Sequence, residues 1–292
     1  MYELIQLSEH DYYIDCPAKI GLVQISDTAA VAIDSGSDKD AGKKVLRHLE
    51  AKGWRLSAIF NTHSHADHIG GNKLLQDRTG CRVFAPGLEL AYTNRPELEA
   101  MTLWGGLPFK NLQSKFLLAQ PSTAEPLSQS VLPAGMDIVP LPGHSFDMVG
   151  YRTPDGNVFL ADCLSSEETL QKYGIGYLWD PAAYVETLER VEKMQAECFV
   201  PAHAPAARNI APLARRNIEA VQETENRILT FLSAPSTFEE LLQKLFFAYD
   251  LTMTAEQYAL LGSTVRSYLS SLLTRGQITF TFADNRMLFQ RA

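Results

Sequence analysis

Ile59-Phe60-Asn61-Thr62-His63-Ser64-His65-Ala66-Asp67-His68-Ile69-Gly70-Gly71 is the stretch on which the reading of this chain turns. Residues 56–60 form a short apolar run, which predicts a buried strand. Three histidines and one aspartate then follow within six residues. His63 and His65 are two apart, so an extended backbone points both side chains the same way. Asp67 and His68 lie across the following turn and can face a second centre. Neutral imidazole and carboxylate are the ligands that zinc and neighbouring transition metals prefer. Packing so many ionisable groups beside a buried strand costs roughly several kcal/mol unless something compensates, and a metal is the simplest compensation.

Three further segments carry ligand-type residues at the ends of apolar runs: Pro142-Gly143-His144-Ser145, Leu160-Ala161-Asp162 and Val200-Pro201-Ala202-His203. Open sheets gather their sites at strand ends. Taken alone, each of these residues reads as a core or turn residue. Beside the first cluster they read as ligands brought in from distant strands.

The order H-x-H-x-D-H, then His, then Asp, then His resembles the metallo-β-lactamase superfamily. His63, His65, Asp67 and His68 match the family motif in full, His144 and His203 sit in P-G-H-T-like and P-G-H-G-like segments, and Asp162 stands at the bridging aspartate. Ile33-Asp34-Ser35-Gly36 resembles the family's acidic turn before its first helix. The resemblance covers about residues 1–210. It implies an α/β protein, the αβ/βα sandwich, with the site at one edge between two sheets. It also implies that His63, His65 and His144 hold one metal, that Asp67, His68 and His203 hold the other, and that Asp162 bridges them. The chain departs from the pattern in having alanine for glycine at Ala161, Ala202 and Ala204, and in carrying Cys163 after the bridging aspartate. The H-x-E-x-D signature of the flavodiiron branch is absent, since position 65 is His.

Two divalent cations about 3.5–4 Å apart can share a water and draw its pKa toward 7, giving a bridging hydroxide without a Ser or Cys nucleophile. Zinc is the expected metal, with iron and manganese as alternatives for the same ligands. Asp67 is the expected catalytic group, orienting the attacking water and taking its proton. A small thioester or ester, like those of the glyoxalase II branch, is the first expected substrate, with Tyr173 and Tyr177 as candidate contacts. The alternatives are a phosphodiesterase or ribonuclease, an iron-dependent sulfur dioxygenase and a metal-stabilised interaction protein.

The rest of the 292-residue chain bounds these readings. Strands and helices alternate along residues 1–203, then residues 213–232, 238–247 and 263–273 read as helices, with Ser236 as the expected cap of the second and a hairpin after the third. The expected division is a catalytic domain over 1–230, with 88–130 as a lid insertion, and a winged-helix-like domain over 231–292. The net charge is −8, and residues 233–292 carry five acidic and five basic side chains, so nucleic acid is not expected as a partner. Four cysteines without a C-x-x-C pair suggest free thiols in a reducing compartment. With no apolar run long enough for a membrane span and no secretory signal pattern, a cytoplasmic protein is expected. The tail is a candidate dimerisation or substrate-covering module, and a homodimer is a further expectation.

Overall fold

The computed structural model describes residues 2–292. Four antiparallel strands come first: β1 (Glu3–Gln6), β2 (Asp11–Asp15), β3 (Ile20–Ser26) and β4 (Ala29–Ile33). Helix α1 (Lys39–Lys52) crosses to β5 (Arg55–Phe60), which runs parallel to β4. The single turn α2 (Ala66–Ile69) and α3 (Asn72–Thr79) lead to β6 (Arg82–Ala85), and α4 (Glu89–Asn94) and α5 (Glu97–Trp104) precede β7 (Ala124–Pro126). These seven strands form one sheet in chain order. A second sheet holds β8 (Asp137–Pro140), β9 (Val149–Arg152), β10 (Val158–Ser165) and β11 (Phe199–His203), in the order β11-β10-β9-β8. Helices α6 (Glu167–Tyr173) and α7 (Pro181–Glu192) join its last two strands. The chain closes with α8 (Ala211–Phe231), α9 (Phe238–Ala248), α10 (Ala255–Thr274) and a hairpin of β12 (Ile278–Ala283) and β13 (Arg286–Arg291).

Three apolar layers hold this together. Between the sheets, Val31, Phe60 and Phe84 of the first meet Tyr151, Phe159 and Val200 of the second. Phe60 stacks on Phe84 at 5.3 Å, and each fully buried aromatic contributes roughly 1.5–3 kcal/mol. Outside the first sheet lies α1, capped by Asp38 accepting from the N–H groups of Asp40 and Ala41 and ended by left-handed Gly53. Outside the second sheet a single cluster runs from Leu160 and Leu188 through Val221 and Ile228 of α8 to Leu245 and Leu269 of the tail. Helices therefore cover both outer faces of two packed sheets, as the αβ/βα sandwich requires.

Local boundaries differ from the sequence expectation in three places. Ser236 does not cap α9: its N–H and C=O pair with Phe289 of β13, which keeps it extended. Thr237 caps the helix instead, in a reciprocal box with Glu240. Helix α10 starts at residue 255 rather than 263, because Thr254 accepts from the Gln257 N–H. Strand β10 runs on to Ser165, so Asp162 lies inside it and not at its end. Residues 88–130 form α4, α5, two short 3₁₀ turns and β7, and Ala100, Leu103 and Leu112 pack against Ala259 of α10.

Candidate metal centre

The parallel strands β4 and β5 end at one edge of the sandwich, and the segments carrying ligand-type residues leave from there. Residues 61–68 follow β5, His144 sits in the loop between β8 and β9, and His203 ends β11. Pro142-Gly143-His144 can turn only because residue 143 is glycine: its φ is +124°, and a Cβ there would lie 2.3 Å from the Tyr184 nitrogen. Asp162 reaches the edge by another route. Ala161 has a φ of +49°, and the β10–β11 register slips on either side of it. This breaks the strand's alternation at Asp162. Ala202 and Ala204 keep negative φ, so alanine costs nothing at those two departures. A left-handed alanine costs about 1–2 kcal/mol, partly offset in a glycine variant by about 0.5–1 kcal/mol of chain entropy. Ala161→Gly is therefore expected to raise Tm by up to about 3 °C; a clear fall in a melting scan would contradict that strain.

The seven residues form two groups that share Asp162. His63, His65, His144 and Asp162 make one, and Asp67, His68, Asp162 and His203 make the other; within each, one ligand atom per residue lies within 4.8 Å of the rest. In the first, His65 Nδ1 is 3.1 Å from His63 Nε2 and 3.0 Å from His144 Nε2. In the second, His203 Nε2 is 3.3 Å from Asp67 Oδ2 and 3.2 Å from Asp162 Oδ2. His68 Nε2 and Asp162 Oδ1 lie 3.0 Å apart yet are misaligned for a hydrogen bond, and both are buried without a partner. Buried polar atoms that converge and stay unpaired are what a cation needs.

Electrostatics divides the groups. Burial holds His63 well below the usual histidine range, lowers His65 and pushes His144 down to about 4, so these three are neutral donors. The Asp162 carboxylate raises His203 to about 10. Burial would lower His68, but Asp162, Asp34 and Asp67 outweigh it and hold it well above its ordinary value. Burial likewise opposes ionisation of Asp67, yet His68 and His203 draw it down to about 2. Without a cation, two imidazolium groups balance the carboxylates; a cation would replace those protons. This donor set fits two divalent cations.

The sequence pointed to the ligands but not to most of what aims them. Asp34, left-handed at φ +62°, accepts from the Thr62 N–H at 2.8 Å and lies 2.8 Å from His68 Nδ1. The Thr62 hydroxyl donates to Asp34 at 2.7 Å and touches His63 Nδ1 at 3.0 Å. The Pro17 carbonyl accepts from His203 Nδ1 at 2.7 Å. Buried Glu99 stands 3.8 Å from His65 Nε2, its carboxyl pushed up to about 8 by burial and by Glu89. Such outer partners fix ring orientation. Only Asp34 had a sequence signal, its acidic turn.

Glu89 of α4, also buried, joins the two ligand loops. It accepts from the Ser64 N–H and hydroxyl at 3.0 and 2.5 Å, from the Ser145 hydroxyl at 2.6 Å and from the Asp147 N–H at 3.1 Å. Glu89→Ala strands three buried donors, besides the Asp147 N–H at the surface, and is expected to cost about 3 kcal/mol or more, a Tm loss of about 6–12 °C. Zinc affinity is expected to fall about 10–100-fold. Competition with a chromogenic chelator and a melting scan check both, and wild-type values in each would remove Glu89 from this role.

Tyr177 packs edge-on against His65 and His144, with ring centroids 5.3 and 5.7 Å away. Tyr173 is exposed at the end of α6 and borders the cleft that opens beside His203. Cys163 points to neither ligand group; it is fully buried, and burial raises its thiol so that it stays protonated.

Known proteins resemble this chain in fold and, over shorter stretches, in sequence. A metallo-beta-lactamase family protein from Thermus thermophilus superposes with a TM-score of 0.76 at 19% identity, covering 98% of this chain and 100% of its own. A beta-lactamase domain protein from Burkholderia ambifaria gives 0.74 at 15% identity, covering 99% and 94%. At these identities the likeness establishes the fold. A protein named hydroxyacylglutathione hydrolase from Erythrobacter litoralis is 45% identical over 60 residues, 20% of this chain and 22% of its own length, so this chain spans less than a quarter of that relative. One of the same name from Pseudomonas entomophila is 27% identical over 230 residues, covering 73% and 75%. The family model described as Metallo-beta-lactamase superfamily matches residues 13–203, from β2 to the last histidine of the site, and the chain belongs to that superfamily.

Proposed function

We propose that this protein is a dinuclear metal-dependent hydrolase acting on a small thioester or ester. The observation that carries the reading is the pair of ligand groups sharing Asp162 beside an open cleft. In it, His63, His65 and His144 hold one cation, Asp67, His68 and His203 the other, and Asp162 belongs to both; zinc is the metal proposed. Divalent cations held there supply Lewis acidity and draw the pKa of water from about 15.7 toward about 7. Asp67 has the most exposed side chain of the seven, at 42%, which suits it to orient the attacking water and take its proton at a carboxylate oxygen. Asp34 and Thr62 keep His68 and His63 aimed while charge develops. Tyr173 and Tyr177 contact the substrate where it passes His203 and His144.

A thioester is favoured over a phosphodiester by charge. In the tail, the Arg266 guanidinium lies over the Phe238 ring at 4.0 Å, and Arg275 is paired with Glu225 at 2.5 Å. Neither is free to track a phosphate backbone. The four cysteines are free thiols, which suits a reducing compartment and a cytoplasmic protein; among the described residues no helix is long and apolar enough to cross a membrane. The test is a hydrolysis screen over thioesters, lactones, β-lactams and bis-aryl phosphodiesters, on protein of measured metal content. Turnover confined to phosphodiesters would replace this reading.

Metal removal has a second readout. At free zinc about a thousandfold above Kd, ligation contributes about 4 kcal/mol. Stripping the protein with a chelator is expected to lower Tm on the order of 10 °C, restored by zinc and not by magnesium. An unchanged Tm would mean that these residues hold no cation.

A further inference from the structure

Beside the ligand groups the cleft splits into two chambers that differ in the charged side chains lining them. The inner one, about 400 Å³, touches Asp67, His144, Asp162 and His203 and is walled by Leu164, Leu170, Ile175, Leu251, Leu260 and Leu261. Leu164, Ile175 and Leu261 are at most 5% exposed, so this wall is part of the packed core. The outer chamber, about 950 Å³, is lined by Asp15, Lys19, Glu167, Glu168 and Lys172. The two meet at Thr169, Tyr173 and His203.

The inner wall comes from two parts of the chain far apart in sequence. Leu164 to Tyr177 belong to the β10–α7 segment. Leu251, Gln257, Leu260 and Leu261 come from α10 and the loop before it, so the tail completes the chamber. Among the described residues neither Lys nor Arg lines it; Gln257, Ser165 and Thr169 are the only uncharged hydrogen-bonding side chains there besides the two tyrosines. An anionic group pushed inward would lose its hydration without gaining a Lys or Arg partner. An aliphatic chain would instead gain by leaving water.

We infer that the inner chamber is an acyl pocket: it takes the unbranched or branched aliphatic acyl group of the substrate, several carbons long, and selects against acyl groups carrying a second carboxylate or a phosphate. The carbonyl then lies at the junction by His203, and the thiol or alcohol leaves through the outer chamber with its charged side chains. Water adds to the carbonyl carbon, the C–S or C–O bond breaks, and the leaving group takes up the proton that the water gave. The reaction part of this inference rests on the hydrolase reading above; the occupancy of the chamber does not. It also gives α10 a role, as the wall that measures acyl length.

Two measurements on the zinc-loaded full-length protein separate these parts. Straight-chain carboxylates from acetate to octanoate are titrated by calorimetry, and kcat/KM is measured for N-acetylcysteamine thioesters of the same lengths. The association constant and kcat/KM are each expected to climb about fourfold per methylene, equivalent to about 0.8 kcal/mol, until the chamber is full. Glutarate is expected to bind at least about tenfold more weakly than pentanoate. Leu260→Trp fills the chamber from α10, and Gly176→Leu fills it from the other side. A Cβ on Gly176 meets nothing within 4 Å, so the backbone there has room for a side chain. Each is expected to flatten the length dependence, lowering the ratio of octanoyl to acetyl turnover at least about tenfold. A wild-type series that is flat in both assays, slopes unmoved by both variants, or glutarate binding as tightly as pentanoate would each overturn the pocket. Carboxylate binding that climbs with length while no thioester is cleaved would uphold the pocket and overturn the hydrolase reading.

Discussion

Asp162→Ala is expected to lower kcat/KM on the order of a thousandfold or more, about 4 kcal/mol, and to reduce bound zinc from the two per chain proposed to one or none. Asp162 is the only residue in both ligand groups. Its oxygens lie 3.0 Å from His68, 3.2 Å from His203, 3.4 Å from His144 and 3.8 Å from His63. It also carries negative charge that makes a nest of five imidazoles tolerable at the site. Without it, the first group keeps only neutral donors and the second keeps one carboxylate. Elemental analysis of dialysed protein and steady-state kinetics check the result, with circular dichroism to establish folding. Two zinc ions retained with kcat/KM within tenfold of wild type would sink the bridging role.

Asp67→Asn separates the chemical role from the scaffold. Asparagine keeps an oxygen 3.3 Å from His203 Nε2 but loses the charge and the capacity to take a proton. A positioned general base contributes typically 10²–10⁴-fold. The expected result is a fall in kcat of about that size with KM changed less than about threefold, since the role proposed for Asp67 is on the water and not on the acyl group. Zinc affinity in the second group is expected to fall as well, so rates are compared at saturating zinc. Unchanged turnover and unchanged metal content together would remove Asp67 from the mechanism.

These expectations rest on residues of unequal visibility. His63, His65, Asp67 and His68 could be read directly, because four ligand-type side chains within six residues after an apolar strand have no cheap structural explanation. His144 and His203 were legible only as companions, each following an apolar run. Asp162 was read as a strand end, whereas it lies inside β10, turned by left-handed Ala161. No local pattern announces an alanine in that conformation; it is held there by the register slip against β11.

Glu89, Glu99 and Thr62 gave no signal at all. A glutamate on a short helix reads as solvated until the fold buries it between two loops. Nor could the periodicity of α10 tell that Leu260 and Leu261 face the cleft, since an apolar helix face looks the same whether it meets core or substrate.

The amino-acid sequence by itself determined which side chains can bind metal, the apolar runs that become strands and hence the family of the fold, because ligand chemistry and strand burial are local properties. The tertiary structure alone decided how Asp162 reaches both ligand groups from inside β10, that Glu89 clamps two loops and which residues of a tail helix wall the cleft. Each of these depends on contacts between residues tens to a hundred positions apart, and such contacts exist only once two sheets have packed.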